Sequence, residues 1–494
     1  MYSLGIDIGS SSIKLALLDI DTGRSAGQVQ LPEGREMRMA APHPGWAEQD
    51  PEHWWKLVQT GCRQLLTQTG VSAADVRAVG ISYQMHGLVL VDKEGAVLRP
   101  SIIWCDSRAV EIGERAFDAL GAEYCLGHLL NSPGNFTAAK LRWVQQHEPE
   151  LYARIHRVLL PGDFIAYRLT DEATTTVSGL SEGMFWDFKN KQPAERLLRH
   201  WDIREALLAP RVPTFGAQGR VTPAAAALTG LAAGTPVTYR AGDQPNNALS
   251  LNVLEAGEVA TTAGTSGVVY GVSDQVNYDP RSRVNSFAHV NHQPDDPRIG
   301  VLLCVNGTGI LNSWVKRNFG VDDYPTMNKE AAAVPVGSAG LSLLPFGNGA
   351  ERVLENRQVG ARMQGLDFNQ HTRGHVFRAA QEGIAFSLAY GFEIMRGMGL
   401  NARVVRAGRA NLFLSPLFRE AFATATNTAV QLYDTDGAQG AARGGALGAG
   451  LYASPKEAFA GLTLLDTVEP AATHHGAYAE AYDRWKRQLE LALT

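Results

Sequence analysis

The chain has 494 residues, 45% of them hydrophobic and 8% aromatic, enough for two or three domain-sized cores and too much for wholesale disorder. Forty-five Lys and Arg against 50 Asp and Glu give a net charge of −5; with no basic run among them, no nucleic-acid partner is expected. No apolar stretch reaches the ~18 residues of a membrane span, MYSLGIDIGSS lacks a basic leader, and Cys62, Cys105, Cys125 and Cys304 show neither metal nor disulfide spacing, so a reduced, cytoplasmic protein without membrane contact is expected.

Residues 2–9 and 12–19 read as a hairpin joined at Gly9-Ser10-Ser11-Ser12. Asp19-Ile-Asp-Thr-Gly23 turns the chain into a third strand. A helix starts near Asp50, a good N-cap followed by Pro51. Trp54, Trp55, Val58, Cys62, Leu65 and Leu66 share its inner face, with Leu57 flanking it. Strands are expected at 76–83 and 87–91, and helices fill the chain to about residue 240. Strands follow around 257–272, then helices near 376–397 and 417–427.

Familiar motifs exclude more than they suggest. No Gly-Lys dipeptide occurs, so a Walker A loop is ruled out, and HExxH is absent. Gly397-Met-Gly399-Leu-Asn-Ala402 follows a helical pattern, the wrong context for a dinucleotide fingerprint. Gly179-Leu-Ser181-Glu-Gly183 has no buried strand before it, so a hydrolase elbow is not expected. An internal echo is more informative. Gly5-Ile-Asp7-Ile-Gly9-Ser10 and Glu258-Val-Ala-Thr-Thr262-Ala-Gly264-Thr265-Ser266 are both strands entering a glycine-hydroxyl turn, 255 residues apart. Similarity at half-length suggests two related domains facing one another.

Such turns expose backbone N–H groups and hydroxyls that suit phosphate oxygens. Asp7 beside the first turn would repel phosphate without an intervening cation, so it reads as a Mg²⁺ partner or as an acid capping its own turn. Asp243 follows a short strand at the start of a helix. It reads as an N-cap, the favoured reading from this stretch, or as a general base; the two are compatible. Gln84-Met85-His86-Gly87 lies between strand-like runs, where a histidine is more often a packed turn residue than a ligand contact. Trp104-Cys-Asp106-Ser-Arg108 reads equally as a surface ion pair.

Together these stretches resemble the FGGY carbohydrate kinases, within the superfamily that holds actin and the heat-shock ATPases. GIDIGSSSIK (5–14), PGWAEQDPEHWW (44–55), QMHG (84–87), WCDSR (104–108), FTAAKLRWVQQHEPE (136–150), AGDQ (241–244) and AGTSG (263–267) occur in the family's order along essentially the whole chain. QMHG and HPGWAEQDPEHWW look most like the xylulose-phosphorylating members, and DTDGAQGAARGGALGAG (434–450) is similar to their C-terminal segment.

The resemblance implies an α/β fold of two ribonuclease H-like domains with a catalytic cleft between them. Residues 1–245 would bind sugar and phosphate, and 246–494 the nucleotide. The general base falls on Asp243, and the sugar pocket on Met85, His86, Asp243 and Gln244, with Trp104 and Asp106 nearby. Phosphate turns fall on Gly9, Ser10, Ser11 and Ser12, with Lys14, and on Gly264, Thr265 and Ser266. Adenine would lie near Gly408, Ala410 and Asn411, and Asp7 matches the acid beside the metal. The cofactors implied are ATP and Mg²⁺, the substrate a ketopentose, and a homodimer is common in the family. D-xylulose 5-phosphate is the expected product. Another ketose or polyol (L-ribulose, L-xylulose) and a non-catalytic sugar or nucleotide sensor are the alternatives.

Departures from the family pattern are Ala407-Gly408-Arg409-Ala410 in place of a glycine-rich run, Asn348-Gly-Ala-Glu351-Arg352, Thr170-Asp-Glu172 followed by Thr176, and Gln381 in place of an apolar residue.

Overall fold

A computed structural model describes residues 1–494. Strands β1 (Tyr2–Ile8), β2 (Ile13–Asp19) and β3 (Arg24–Leu31) form the expected antiparallel run, with Gly23 at φ 65° in the turn before β3. β4 (Val76–Tyr83) and β5 (Val237–Gly242) add in parallel on the other side of β1, so the sheet order is β5-β4-β1-β2-β3. β1 and β2 are largely buried runs rather than alternating ones, as strands covered on both faces must be. The helix Pro51–Thr69 covers β2 and β3; Asp50 accepts from the Glu52 N–H, and Gly70 ends it in the left-handed region. Its buried face is Trp54, Trp55, Val58, Cys62 and Leu65, with Leu66 only partly covered.

The second half repeats this plan. β6 (Glu258–Ala263) and β7 (Gly267–Ser273) are a hairpin, followed by β8 (Asn285–Ala288), β9 (Ile299–Val305), β10 (Val404–Gly408), β11 (Val430–Tyr433) and β12 (Leu464–Val468). Their order is β8-β9-β7-β6-β10-β11-β12. The inner five strands, β9-β7-β6-β10-β11, have the order and directions of the first sheet. The 255-residue echo is therefore a structural repeat: β6 occupies the place of β1, and Thr262 stands where Asp7 does.

Several sequence features find physical reasons here. The GxSxG stretch overlaps the helix Val177–Glu182, and GxGxxA lies at the end of the helix Arg373–Gly397, so neither has the strand that its motif needs. Thr176 caps the first of these helices, accepting from the Gly179 N–H at 3.0 Å. Gln381 is buried and satisfied, bonded to Asn328 at 2.8 Å and Ser415 at 2.7 Å.

The helix Gly437–Gly448 belongs by sequence to the second half, yet it lies on the first sheet, against β1, β2, β4 and β5. The approach is backbone to backbone. A Cβ on Gly5 would fall 1.8 Å from the Ala438 carbonyl oxygen, and one on Gly80 would fall 1.9 Å from that of Ala441. The Ser3 hydroxyl donates to Ala442 O (2.7 Å) and Thr238 to Gly445 O (2.6 Å), fixing the helix on the sheet. On its outer side the helix Asp243–Ser250 packs against it, and Asn246 donates to Gly437 O at 2.8 Å. The glycines of 434–450 thus answer a need for close approach.

Gly5→Ala should destabilise the protein by about 3 kcal/mol or more, because two backbones must separate. Gly397→Ala, at an exposed helical site with open space, should be neutral or slightly stabilising. Thermal unfolding of both variants checks this; equal midpoints would refute the packing argument.

Candidate active site

Asp243 is the first residue of its helix. Gly242 occupies the N-cap position and no side chain caps this end, so the capping reading of Asp243 does not hold. Burial lifts its carboxyl from the usual carboxylate range to about 7, and the Asp7 carboxylate pushes the same way, while bonds from Gln244 oppose the shift. Asp7 is likewise raised, first by burial and then by Asp436, with the Ser82 hydrogen bond and Lys14 acting against it. Its Oδ1 accepts from the Ser82 hydroxyl at 2.7 Å, so it does not cap its own turn. Its Oδ2 would lie 2.4 Å from a Cβ on Gly437, which makes glycine necessary there. Asp436 caps the Gly437–Gly448 helix, accepting from the Gln439 N–H at 2.9 Å. Through Asn246 and Gly437, the helix carrying Asp243 is tied to the residue beside Asp7. Three carboxylates thus gather where the two halves cross.

His86 and Met85 lie beside this group. A Cβ on Gly242, the residue before Asp243, would meet Met85 Cγ at 2.6 Å and Glu182 Oε2 at 3.1 Å. His86 has a left-handed backbone, φ 62°, and its ring sits between Phe136 (4.8 Å) and Phe287 (5.4 Å). Lys140, fully buried, donates to the carbonyls of His86 (2.9 Å) and Ile103 (3.0 Å), joining the QMHG turn to the WCDSR segment. Burial pulls its ammonium down to about 7. Glu182 is 2% exposed with neither carboxyl oxygen hydrogen-bonded, and burial holds its carboxyl well above the usual range.

The structure separates Trp104 from Asp106. Trp104 is exposed, free to meet a ligand. Asp106 is buried, and its carboxylate is occupied by the Ala47 N–H (2.6 Å) and the Arg108 guanidinium (2.6 Å). The ion pair read as superficial is therefore internal; Arg108 also stacks 3.7 Å above Trp46 and meets Glu48 at 2.8 Å. Asp106 shapes the segment beneath Trp104, with no free oxygen turned to a sugar.

Both glycine turns are tightly closed. The Gly9 N–H donates to Ser12 O at 3.0 Å, Ser10 O accepts from Gln49 and Ser11 O from Met37, each at 2.7 Å. Lys14 is cross-strand from Asp7. In the second turn, Gly264 O accepts from Gly309 N (2.9 Å) and Thr308 Oγ1 (3.2 Å), which brings in the start of the helix Thr308–Asn318. Asn411 reaches the same turn, its Nδ2 lying 3.2 Å from a Cβ on Gly264, while Thr265, Arg409 and Ala410 are exposed and Ser266 and Gly408 partly covered.

No group of three His, Cys, Asp or Glu side chains is arranged to cage a metal ion. Mg²⁺ is ordinarily held by one or two carboxylates together with waters and substrate phosphates, so Asp7, with Asp436 near it, fits that ion. Sequence reasoning passed over Lys140, Glu182, Asp436 and Asn246. Lys140 stood inside FTAAKLRW without an assigned role, and Glu182 inside the rejected GxSxG stretch.

On the expectation that the QMHG turn meets a sugar, Lys140→Met should raise the sugar KM by roughly tenfold, the worth of one or two hydrogen bonds, and leave the nucleotide KM unchanged. Steady-state kinetics in both substrates decides it; equal effects on the two would remove Lys140 from the sugar side.

Residues 2–250 match the N-terminal domain of the FGGY family of carbohydrate kinases. The chain is 29% identical to the xylulose kinase of Escherichia coli strain K12, covering all of this chain and 99% of that one. It is 30% identical to the L-xylulose/3-keto-L-gulonate kinase of the same organism, over 99% of this chain and 96% of the relative. Among solved structures, a "xyloylose kinase" from Brucella ovis superposes with a TM-score of 0.90 at 26% identity, over 99% of both chains. The xylulose kinase of Rhodospirillum rubrum does so at 0.88 and 26%, again over 99% of both. With this match over half the chain and likeness along its whole length, the protein belongs to the FGGY family of carbohydrate kinases.

Proposed function

We propose that this carbohydrate kinase transfers the γ-phosphoryl group of ATP to the terminal hydroxyl of D-xylulose, giving D-xylulose 5-phosphate and ADP. The observation that carries the reading is the meeting of Asp243, Asp7 and the His86 pocket at the crossing of the two halves. Similarity to xylulose kinases supports the choice of sugar. In this reading residues 1–245 supply the sugar pocket and the first phosphate turn, and 246–494 supply the nucleotide side.

The steps follow from the residues present. Asp243 accepts the hydroxyl proton as the sugar oxygen forms its bond to phosphorus and the bond to the ADP oxygen breaks. A carboxyl with a proton affinity near neutrality is well matched to that task. The backbone N–H groups of Ser10–Ser12 and Gly264–Ser266, with Lys14, hold phosphate oxygens, the Gly9 N–H being used to close the first turn on Ser12; positioning of this kind dominates phosphoryl transfer. Mg²⁺, when bound, neutralises charge developing on the phosphates; Asp7 would hold it, directly or through water. Gly408, Ala410 and Asn411 offer the adenine a surface beside the second turn.

A second reading keeps the chemistry and changes the sugar to L-xylulose or a related ketose, because the L-xylulose/3-keto-L-gulonate kinase is as similar to the chain as the xylulose kinase is.

ADP release from Mg-ATP should be fastest with D-xylulose in a panel of ketoses, polyols and a no-sugar control. A different best sugar would overturn the specificity; no turnover with any sugar would overturn the kinase reading. Asp243→Asn should lose about 10²–10⁴-fold in turnover, the usual worth of a general base. Because Asp243 works deprotonated, wild-type kcat/KM should rise with pH through about 7 and then level, while the residual activity of the variant should not. Asp7→Asn should shift the Mg²⁺ titration to higher concentration. Unchanged Mg²⁺ dependence would clear Asp7 of that role.

A further inference from the structure

We infer that His86 reads the sugar purely as a hydrogen-bond acceptor: its proton sits on Nδ1, and Nε2 receives the hydrogen of a substrate hydroxyl. The inference deepens the proposed function and rests on its placing of His86 in the sugar pocket.

The tautomer follows from the partners. His86 Nδ1 lies 2.9 Å from the main-chain carbonyl of Glu182. A carbonyl has no proton to give, so the ring nitrogen must donate. The Glu182 carboxyl lies on this same side, 3.7 Å from Nδ1. Nε2 has no partner within the protein, and the side chain keeps 15% exposure, so this nitrogen is the one open to a ligand.

Orientation is fixed from three directions. Lys140 pins the His86 carbonyl, φ 62° is a conformation seldom adopted without such support, and Phe136 and Phe287 confine the ring. Moving the proton to Nε2 would set the Nδ1 lone pair against the Glu182 carbonyl, and a ring flip would put Cδ2–H there and lose the hydrogen bond.

A second proton is also resisted. Burial chiefly, with Lys140 and Arg352 opposing charge on the ring in addition, brings His86 down to about 3. The Glu182 carboxyl, itself raised by burial, does not offset them.

The consequence is a substrate rule. A lone pair at Nε2 accepts from O–H and repels carbonyl, ether and carboxylate oxygen. The atom facing His86 must then be a hydroxyl, and the keto oxygen of a ketose or the acid group of a sugar acid must point elsewhere. Replacing that hydroxyl by fluorine, which cannot donate, should be as harmful as removing it.

Two measurements test this. The first is nitrogen NMR of the ligand-free protein labelled in histidine, with His86→Gln to assign the signal. Nε2 should resonate as an unprotonated imidazole nitrogen at neutral pH; a protonated Nε2 overturns the inference whatever the enzyme phosphorylates. The second uses single-site deoxy and deoxyfluoro analogues of the best-accepted ketose. At one carbon both analogues should lose kcat/KM on the order of 10- to 100-fold, as for a buried acceptor left unpaired, and the loss should shrink in His86→Phe. Deoxyfluoro analogues that retain activity wherever the deoxy ones lose it would overturn the inference. Absence of turnover with any sugar would overturn the proposed function, and the NMR result would still report the tautomer.

Discussion

Everything at the crossing of the two halves depends on how closely the Gly437–Gly448 helix lies on β1 and β4. Gly5 and Gly80 on the sheet leave no room for even a methyl group beneath the helix backbone. That contact brings the Asp436 cap and Gly437 against Asp7, and Asn246 carries the position on to the helix that begins with Asp243. Separations between these carboxyl groups are therefore set by main chain against main chain. Main-chain packing has few alternative arrangements, which is what a site requiring sub-ångström placement needs.

The same crowding has an electrostatic cost. Asp7, Asp243 and Glu182 are all shifted toward their protonated forms by burial, and each feels another carboxylate nearby. A carboxyl whose folded-state proton affinity exceeds that of the unfolded chain makes folding less favourable as pH rises toward its folded value. For Asp243 the penalty grows from the ordinary carboxylate range up to about pH 7. The fold bears this with deep apolar clusters on both sides of the crossing, an instance of stability given up at a working site.

Much of this was legible in the chain. Strand-turn-strand patterns at both glycine turns, the Asp50 cap and the buried face of the first long helix depend on local rules, and they stand in the structure where those rules put them. The repeat was visible because each half opens with the same strand and turn. What local rules could not supply was long-range pairing. Asp243 looked like a cap because strand-to-helix junctions usually need one, and only the backbone path shows Gly242 in that place. Arg108 and Asp106 looked superficial because spacing does not report burial. Lys140 and Glu182 gained a role only when Ile103, His86 and Gly242 arrived beside them from other parts of the chain.

The crossing also bears on how the protein is made. The first sheet is complete in sequence at Gly242, yet the helix that covers its face starts at Gly437, and Ser3 waits for Ala442, 439 residues away. At ribosomal speeds of about 5–20 residues per second, roughly 10–40 s separate the two events. Throughout that interval the nascent N-terminal half presents an uncovered sheet face. The two halves are repeats in topology but a single unit in synthesis, and the growing chain passes through a long vulnerable stage in which chaperones have something to hold.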